Sequence, residues 1–81
     1  MSDVFTITVL HVPTGRTGVC KVMPREDALQ AVANWVLETI RYFDATLEEF
    51  VVYKDTSRTT PHSITVVAEL HKILEEMGVH E

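Results

Sequence analysis

The most constraining feature of the sequence is a segment, from Asp27 to Phe43, that is apolar on most sides of a helix. Its polar residues recur in steps of three or four, at positions 27, 30, 34, 38 and 41, and this spacing predicts a helix. Those positions share a strip only about 80° wide. The apolar surface outside this strip is wider than the stripe that a surface helix usually carries. We therefore expect this helix to be covered on two sides, and a second molecule is one candidate cover.

Size and hydrophobicity point the same way. The chain has 81 residues, of which 46% are hydrophobic, and we expect one domain spanning residues 1–81. A domain this small hides only about 60–65% of the surface that its unfolded chain exposes. Excess apolar surface on a folded protein usually marks a contact with another molecule. The composition therefore predicts a homo-oligomer, most simply a dimer.

The charge distribution is acidic but uneven. The net charge of −5 disfavours general binding to nucleic acid or to anionic lipid, which needs a basic field. Residues 1–25 nevertheless hold one acid and three bases, whereas residues 26–81 hold eleven acids and four bases. The basic residues Arg16, Lys21 and Arg25 leave nucleic-acid binding by a hairpin as the alternative function.

The chain carries no feature of secreted or membrane proteins. Its single cysteine, Cys20, cannot form an internal disulfide, which fits a reducing compartment. The first residues lack the basic and apolar regions of a signal peptide, and no apolar run approaches the roughly 20 residues that cross a bilayer. We therefore expect a cytoplasmic protein without a membrane partner.

The first part of the chain predicts a β-hairpin. Residues 4–12 alternate between two faces and predict a strand; residues 13–18 are rich in turn formers, and Val19–Met23 predicts a second strand. A turn centred on Gly15-Arg16 pairs His11 with Cys20. One face then holds Phe5, Ile7, Val9, His11, Cys20 and Val22. The other face holds Val4, Leu10, Val12, Val19, Lys21 and Met23.

The second part predicts one more strand and a second helix. Leu47–Lys54 predicts a third strand, and Thr60-Pro61 is typical of a helix start. The β-branched run at residues 64–67 is compatible with a strand, but the helical spacing of apolar residues through position 77 favours a helix. The six apolar positions are Val66, Val67, Leu70, Ile73, Leu74 and Met77. Gly78 follows at the usual stop position.

The order of elements predicts an α+β fold of ββαβα type. We expect a three-stranded, mainly antiparallel sheet of order 2-1-3, with both helices on the face that holds Phe5, Ile7 and Val9. Two candidate partner surfaces follow. One is the flank of the first helix around Trp35, Thr39 and Tyr42, and the other is the bare sheet face with Leu10, Val12 and Val19. Arg16, at the hairpin tip, is a candidate anchor.

Residues that could carry chemistry have structural explanations. A thiol facing an imidazole, as predicted for Cys20 and His11, can become a nucleophile, but both lie on the predicted core face, where such side chains are usually packing residues. His62, His71 and His80 are spaced nine apart, which matches no compact zinc pattern.

The loop at residues 14–18 lacks the lysine and serine of a phosphate-binding loop, and the acids Asp44, Glu48 and Glu49 are typical of solvated charge. We predict no catalytic residue, cofactor or metal.

The function predicted from the sequence is therefore binding rather than catalysis. We expect a small, non-catalytic protein-binding module that acts as a homodimer, in which Trp35 and Tyr42 are candidate contact residues because aromatic residues are enriched at contact hot spots. In its shortness, its acidity and its lack of a catalytic signature, the chain is similar to many small accessory proteins of phages and mobile elements, including inhibitors of host defence. That similarity implies a host protein as the partner.

Overall fold

The computed structural model of the chain describes residues 5–22 and 25–79. Its elements in chain order are β1 (Phe5–His11), β2 (Arg16–Val22), α1 (Arg25–Phe43), a short 3-10 helix (Leu47–Glu49), β3 (Phe50–Tyr53) and α2 (Ile64–Glu76). Val4 and Met23, which the sequence assigns to strand ends, lie outside the described residues.

The three strands form one antiparallel sheet in the order β2-β1-β3, so the predicted α+β fold and its strand order are confirmed. β1 lies in the centre because its alternating residues are buried on the helix side, where Ile7 and Val9 are fully covered. β3 pairs with the second half of β1, from Thr8 opposite Tyr53 to His11 opposite Phe50.

The predicted hairpin register is wrong by four residues. His11 pairs with Arg16 and Ile7 pairs with Cys20, so residues 12–15 form the turn and β2 begins at Arg16. The predicted two-residue turn centred on Gly15-Arg16 is replaced by a longer turn in which Gly15, with a φ of 73°, is the last residue. The amide of Gly15 instead donates to the carbonyl of His11 at 2.8 Å. A shift of four keeps every strand residue on its predicted face, since side chains alternate with a period of two, whereas Val12, predicted to pair with Val19, lies in the turn.

α1 ends at Phe43 as predicted and has the predicted polar strip, but it begins at Arg25, two residues before Asp27. Its first turn carries Glu26 and Asp27, which suit the positive end of the helix dipole, and the polar strip is exposed along its length. α1 packs on β1 and β2 with one side and on α2 with another, so the chain itself covers two sides of this helix. The buried residues of α1 are Ala28, Leu29, Val32, Ala33, Val36 and Thr39.

The start of α2 differs from the prediction. Thr60 and Pro61 do not begin the helix: the carbonyl of Thr60 accepts from the amide of Lys54 at 2.8 Å, and Pro61 forms a bridge with Tyr53. This segment covers the outer edge of β3, and the helix begins only after Ser63, whose hydroxyl accepts from the amide of Val66 at 3.4 Å.

The helical reading of residues 64–67 and the stop at Gly78 are both confirmed. Gly78 has a φ of 95°, and its amide donates to the carbonyl of Glu75 while the amide of Val79 donates to that of Leu74. These two bonds form a Schellman motif, which needs a left-handed residue and therefore favours glycine.

The third strand is shorter than predicted, because Leu47–Glu49 form a 3-10 turn. The amide of Phe50 donates to the carbonyl of Leu47 and closes this turn, so the ladder starts at Phe50. The core lies between the sheet and the two helices, around Ile7, Leu29 and Leu74. Within residues 5–22 and 25–79, neither helix is long and apolar enough to cross a membrane.

Candidate partner-binding surfaces

The end of α1 and the start of β2 enclose an open hollow of about 300 Å³. It is lined by Arg16, Trp35, Glu38, Thr39, Tyr42 and Phe43, and we call it the aromatic hollow. Four of these six residues are partner-binding candidates from the sequence: Arg16, Trp35, Thr39 and Tyr42. Arg16 belongs to the hairpin, and the other three belong to the flank of the helix. The hairpin register brings them together, because it starts β2 at Arg16 beneath the last turn of α1.

Trp35 forms the inner wall of the aromatic hollow. Its ring lies on the backbone of Gly18, where a methyl group in place of the hydrogen would sit 2.7 Å from Cδ2. The ring also meets Phe50 edge-on, with centroids 6.2 Å apart. Trp35 is half-buried and packs against the core. It is therefore a rigid anchor whose exposed part faces the hollow.

Tyr42 and Phe43 form the outer wall. Tyr42 is 80% exposed, and its ring meets that of Phe43 edge-on at 4.7 Å between centroids. The guanidinium carbon of Arg16 lies 5.3 Å from the centre of the Phe43 ring, within the range of a cation–π contact. Tyrosine, tryptophan and arginine are the residue types most enriched at contact hot spots.

Thr39 has a structural task within this surface. It is buried, and its hydroxyl donates to the carbonyl of Trp35 at 2.9 Å. This bond gives the buried hydroxyl of Thr39 a hydrogen-bond partner, as buried polar groups require. Thr39 therefore supports the wall of the hollow rather than offering area to a partner.

The outer face of the sheet is the second candidate surface. Leu10 is half-buried, while Val12 and Val19 are 56% and 49% exposed. Lys21 is exposed on the same face. In the centre of this face Thr8 is 1% exposed, and its hydroxyl has no hydrogen-bond partner among the described residues. Helices cover only the other face, so this one presents a mixed apolar and polar surface.

His11 is a buried structural residue. Its Nε2 lies 2.8 Å from a carboxylate oxygen of Glu49, and its Nδ1 lies 2.8 Å from the hydroxyl of Thr14. Its ring stacks on that of Phe43 and packs at a tilt against that of Phe50. Glu49, predicted from the sequence to be solvated charge, is partly exposed and contacts this buried histidine. Patterns among neighbouring residues do not predict this contact, because His11 and Glu49 are 38 positions apart in the sequence.

Cys20 and His11 do not form a reactive pair. Cys20 lies opposite Ile7, four residues along β2 from the partner of His11. At about 3.3 Å per residue this separates the two positions by roughly 13 Å along the strands. Both do lie on the core side of the sheet, as predicted.

His62 and His71 line a separate, mostly apolar hollow of about 330 Å³ beside α2 and β3. Partial burial lowers the pKa of the His62 imidazole below its usual value, and the nearby Lys54 and Arg25 lower it further. The ring of His62 stacks on Phe5 at 5.2 Å. No group of three or more potential metal-ligating side chains was found in the described part of the chain.

The basic residues of the hairpin do not form one patch. Arg25 pairs with Glu69 of α2, Arg16 lies over Phe43 on the core side of the sheet, and Lys21 is exposed on the outer face opposite Thr6. Phosphate binding needs several bases on one face. The nucleic-acid alternative therefore receives no support from the placement of these side chains.

No family model, curated protein or solved structure matches this chain.

Proposed function

We propose that this protein is a small, non-catalytic protein-binding module that works as a homodimer. The observation that carries the proposal is the aromatic hollow, in which an 80% exposed tyrosine, a rigid tryptophan and an arginine converge on one surface. Such residues dominate binding energies when a partner excludes water from them. A hollow of this size accepts one or two side chains of another protein.

In this proposal each protomer folds by itself, and the second copy binds to the folded protomer. The accessible surface of the chain is 5161 Å², close to the roughly 4900 Å² of a monomeric protein of this mass. A single folded copy thus exposes about as much surface as expected, and large apolar residues such as Tyr42 and Ile64 lie on that surface. Substitutions at exposed positions are therefore expected to dissociate the dimer without unfolding the protomer.

The two candidate surfaces suit two different partners. The aromatic hollow is proposed for contact with the second copy, and the outer sheet face, with Leu10, Val12 and Val19, for a target protein. Similarity in size and charge to accessory proteins of phages and mobile elements favours a host protein as that target. The proposed mode of action is occupation of a target surface, for which no reacting group is required.

A pair of matched substitutions tests the dimer contact. Tyr42 and Ile64 are both large, apolar and at least 80% exposed, but only Tyr42 lines the aromatic hollow. We expect Tyr42→Lys to reduce the mass measured by light scattering to that of a monomer, while Ile64→Lys leaves the dimer intact. Circular dichroism should show the same helix content in both variants.

A third variant separates the two surfaces. Val12 belongs to the second candidate surface, does not line the hollow and is also exposed. We expect Val12→Lys to keep the dimer mass. If Val12→Lys dissociated the dimer and Tyr42→Lys did not, the hollow would be the wrong contact surface.

A further inference from the structure

The two edge strands of the sheet, β2 and β3, differ in whether their outer backbone groups are hydrogen-bonded. Along the outer edge of β3, the segment at residues 60–62 supplies hydrogen bonds: Lys54 donates to Thr60 at 2.8 Å, and His62 donates to Val52 at 3.0 Å. Along the outer edge of β2, no backbone or side-chain hydrogen bond is found within residues 5–22 and 25–79. A strand edge of this kind is a template for another strand.

The register identifies which groups of β2 point outward. Val12 donates to Glu49 on the β3 side, whereas the carbonyl of His11 accepts from Gly15 on the β2 side. Backbone groups alternate between the two sides of a strand. The hydrogen-bonded pairs between β1 and β2 are therefore His11 with Arg16, Val9 with Gly18, and Ile7 with Cys20. The amide and carbonyl groups that remain, on the outer edge, belong to Thr17, Val19 and Lys21.

We infer that β2 pairs, antiparallel, with β2 of a second copy, so that two three-stranded sheets join into one six-stranded sheet. This inference rests on the proposed homodimer and names its geometry. The two-fold axis passes through Val19. Each Thr17 then lies opposite Lys21 of the other copy, and all six outward backbone groups of each strand find partners.

Registers with the axis at Lys21 or at Thr17 are less favourable. An axis through Lys21 sets two like charges directly opposite each other, which destabilises a strand pair, and an axis through Thr17 leaves Lys21 beyond the end of the partner strand. An axis through Val19 places valine beside valine on the outer face. The sequence of the edge, polar–apolar–polar at positions 17, 19 and 21, is complementary to itself, as an isologous contact requires.

Charge and the aromatic hollow both fit this arrangement. Antiparallel pairing carries Arg16 of one copy to the end of β2 from which α1 of the other copy begins. The first turn of that helix holds Glu26 and Asp27. It also holds Arg25, whose charge is paired with Glu69 of its own copy, so the two acids remain to meet Arg16 at both ends of the contact. The hollow, which lies where α1 ends over the start of β2, then faces the first half of the other α1.

Proline at the axis is the first test. The amide of Val19 points outward, so Val19→Pro removes no bond to β1, and proline is tolerated on an edge strand in this orientation. The variant loses two symmetry-related hydrogen bonds at the contact, which raises the dissociation constant of the dimer roughly 30-fold or more. Val19→Thr keeps the amide and serves as the matched control: it loses only the contact between the two valines, so its dissociation constant should rise much less than that of Val19→Pro. Sedimentation equilibrium measures both.

Cysteine pairs test the register. In a Cys20→Ala background, Thr17→Cys and Lys21→Cys proteins are mixed and exposed to mild oxidant. Facing residues have Cα atoms about 5.5 Å apart, within the range for a disulfide, so we expect a crosslinked dimer of one chain of each kind. Either protein alone should not crosslink, because two copies of position 17 lie roughly 13 Å apart.

The outcomes separate this inference from the proposed function. A dimer that survives Val19→Pro, and that forms no 17–21 crosslink, overturns the β2 contact while the homodimer stands. A wild-type chain that is monomeric at high micromolar concentration overturns both. Monomeric, folded Val19→Pro together with the mixed crosslink supports both.

Discussion

Trp35 lies with its ring directly on the backbone of Gly18, so close that no other residue fits at position 18 without moving the ring. This contact fixes α1 against β2 and sets the inner wall of the aromatic hollow. Glycine inside a strand often marks such a close approach. The contact therefore links the local stability of the hairpin to the shape of the proposed binding surface.

Gly18→Ala is expected to destabilise the protein by about 1–3 kcal/mol, the usual cost of overpacking, and to shift the fluorescence of Trp35 to longer wavelength as the ring moves toward water. Gly15→Ala is the control: its positive φ makes alanine cost about 1 kcal/mol, but nothing lies near the added methyl. Its emission should match that of the wild type. Chemical denaturation gives the free energies of unfolding, and an unshifted emission in Gly18→Ala would contradict the contact.

Replacement of His11 tests the buried network. His11→Ala removes a ring packed against Phe43 and Phe50 and takes away the imidazole that contacts the carboxylate of Glu49. We expect the free energy of unfolding to fall by about 3 kcal/mol. Glu49→Gln keeps an acceptor oxygen and should cost only about 1 kcal/mol. Equal losses in the two variants, measured by urea denaturation, would show that the ring itself contributes no packing.

The N-cap of α2 is Ser63 in the structure, whereas the sequence predicts Thr60. Two substitutions distinguish these residues. Ser63→Ala removes the hydroxyl that accepts from the amide of Val66, and should lower the free energy of unfolding by about 1 kcal/mol. Thr60→Ala should change it by less than about 0.5 kcal/mol, because Thr60 contributes its carbonyl rather than its side chain. The reverse order of effects would favour the cap predicted from the sequence.

Acid is expected to weaken the fold through His62. Burial lowers the pKa of His62 in the folded state, so below the unfolded value of about 6.5 the unfolded chain binds a proton more readily than the folded chain. The free energy of unfolding therefore decreases as the pH falls through 6.5 toward the folded pKa, and the His62 contribution is intact above that window. His62→Gln removes this dependence, so the difference in stability between wild type and variant should change with pH. A constant difference would contradict the assignment.

The fold follows from periodicity, and the errors follow from local turn chemistry. Alternation in β1 and helical spacing in α1 and α2 place residues on faces, and a hairpin shift of four leaves those faces unchanged. The turn at residues 12–15 depends on the bond from the Gly15 amide to the His11 carbonyl, and the start of α2 depends on whether Thr60 is already bonded to Lys54. Neither is visible in the spacing of apolar residues.

The aromatic hollow is only half visible in the sequence. Trp35 and Tyr42 stand out by their type and their spacing of seven, but Arg16 joins them only through the hairpin register. Phe43 and Glu38 complete the lining and carry no signal of their own. Gly18, in a strand next to a helix with one tryptophan, is the clue that could have placed the two surfaces together.

The mass of the wild-type chain in solution tests the central claim most directly. Sedimentation equilibrium of the 9.2 kDa chain across the micromolar range should give twice that mass, with Tyr42→Lys returning it to the single-chain value while the helix content stays unchanged. A wild-type protein that remains at 9.2 kDa at the highest concentration, and still folds, would contradict the claim that a second copy covers the aromatic hollow.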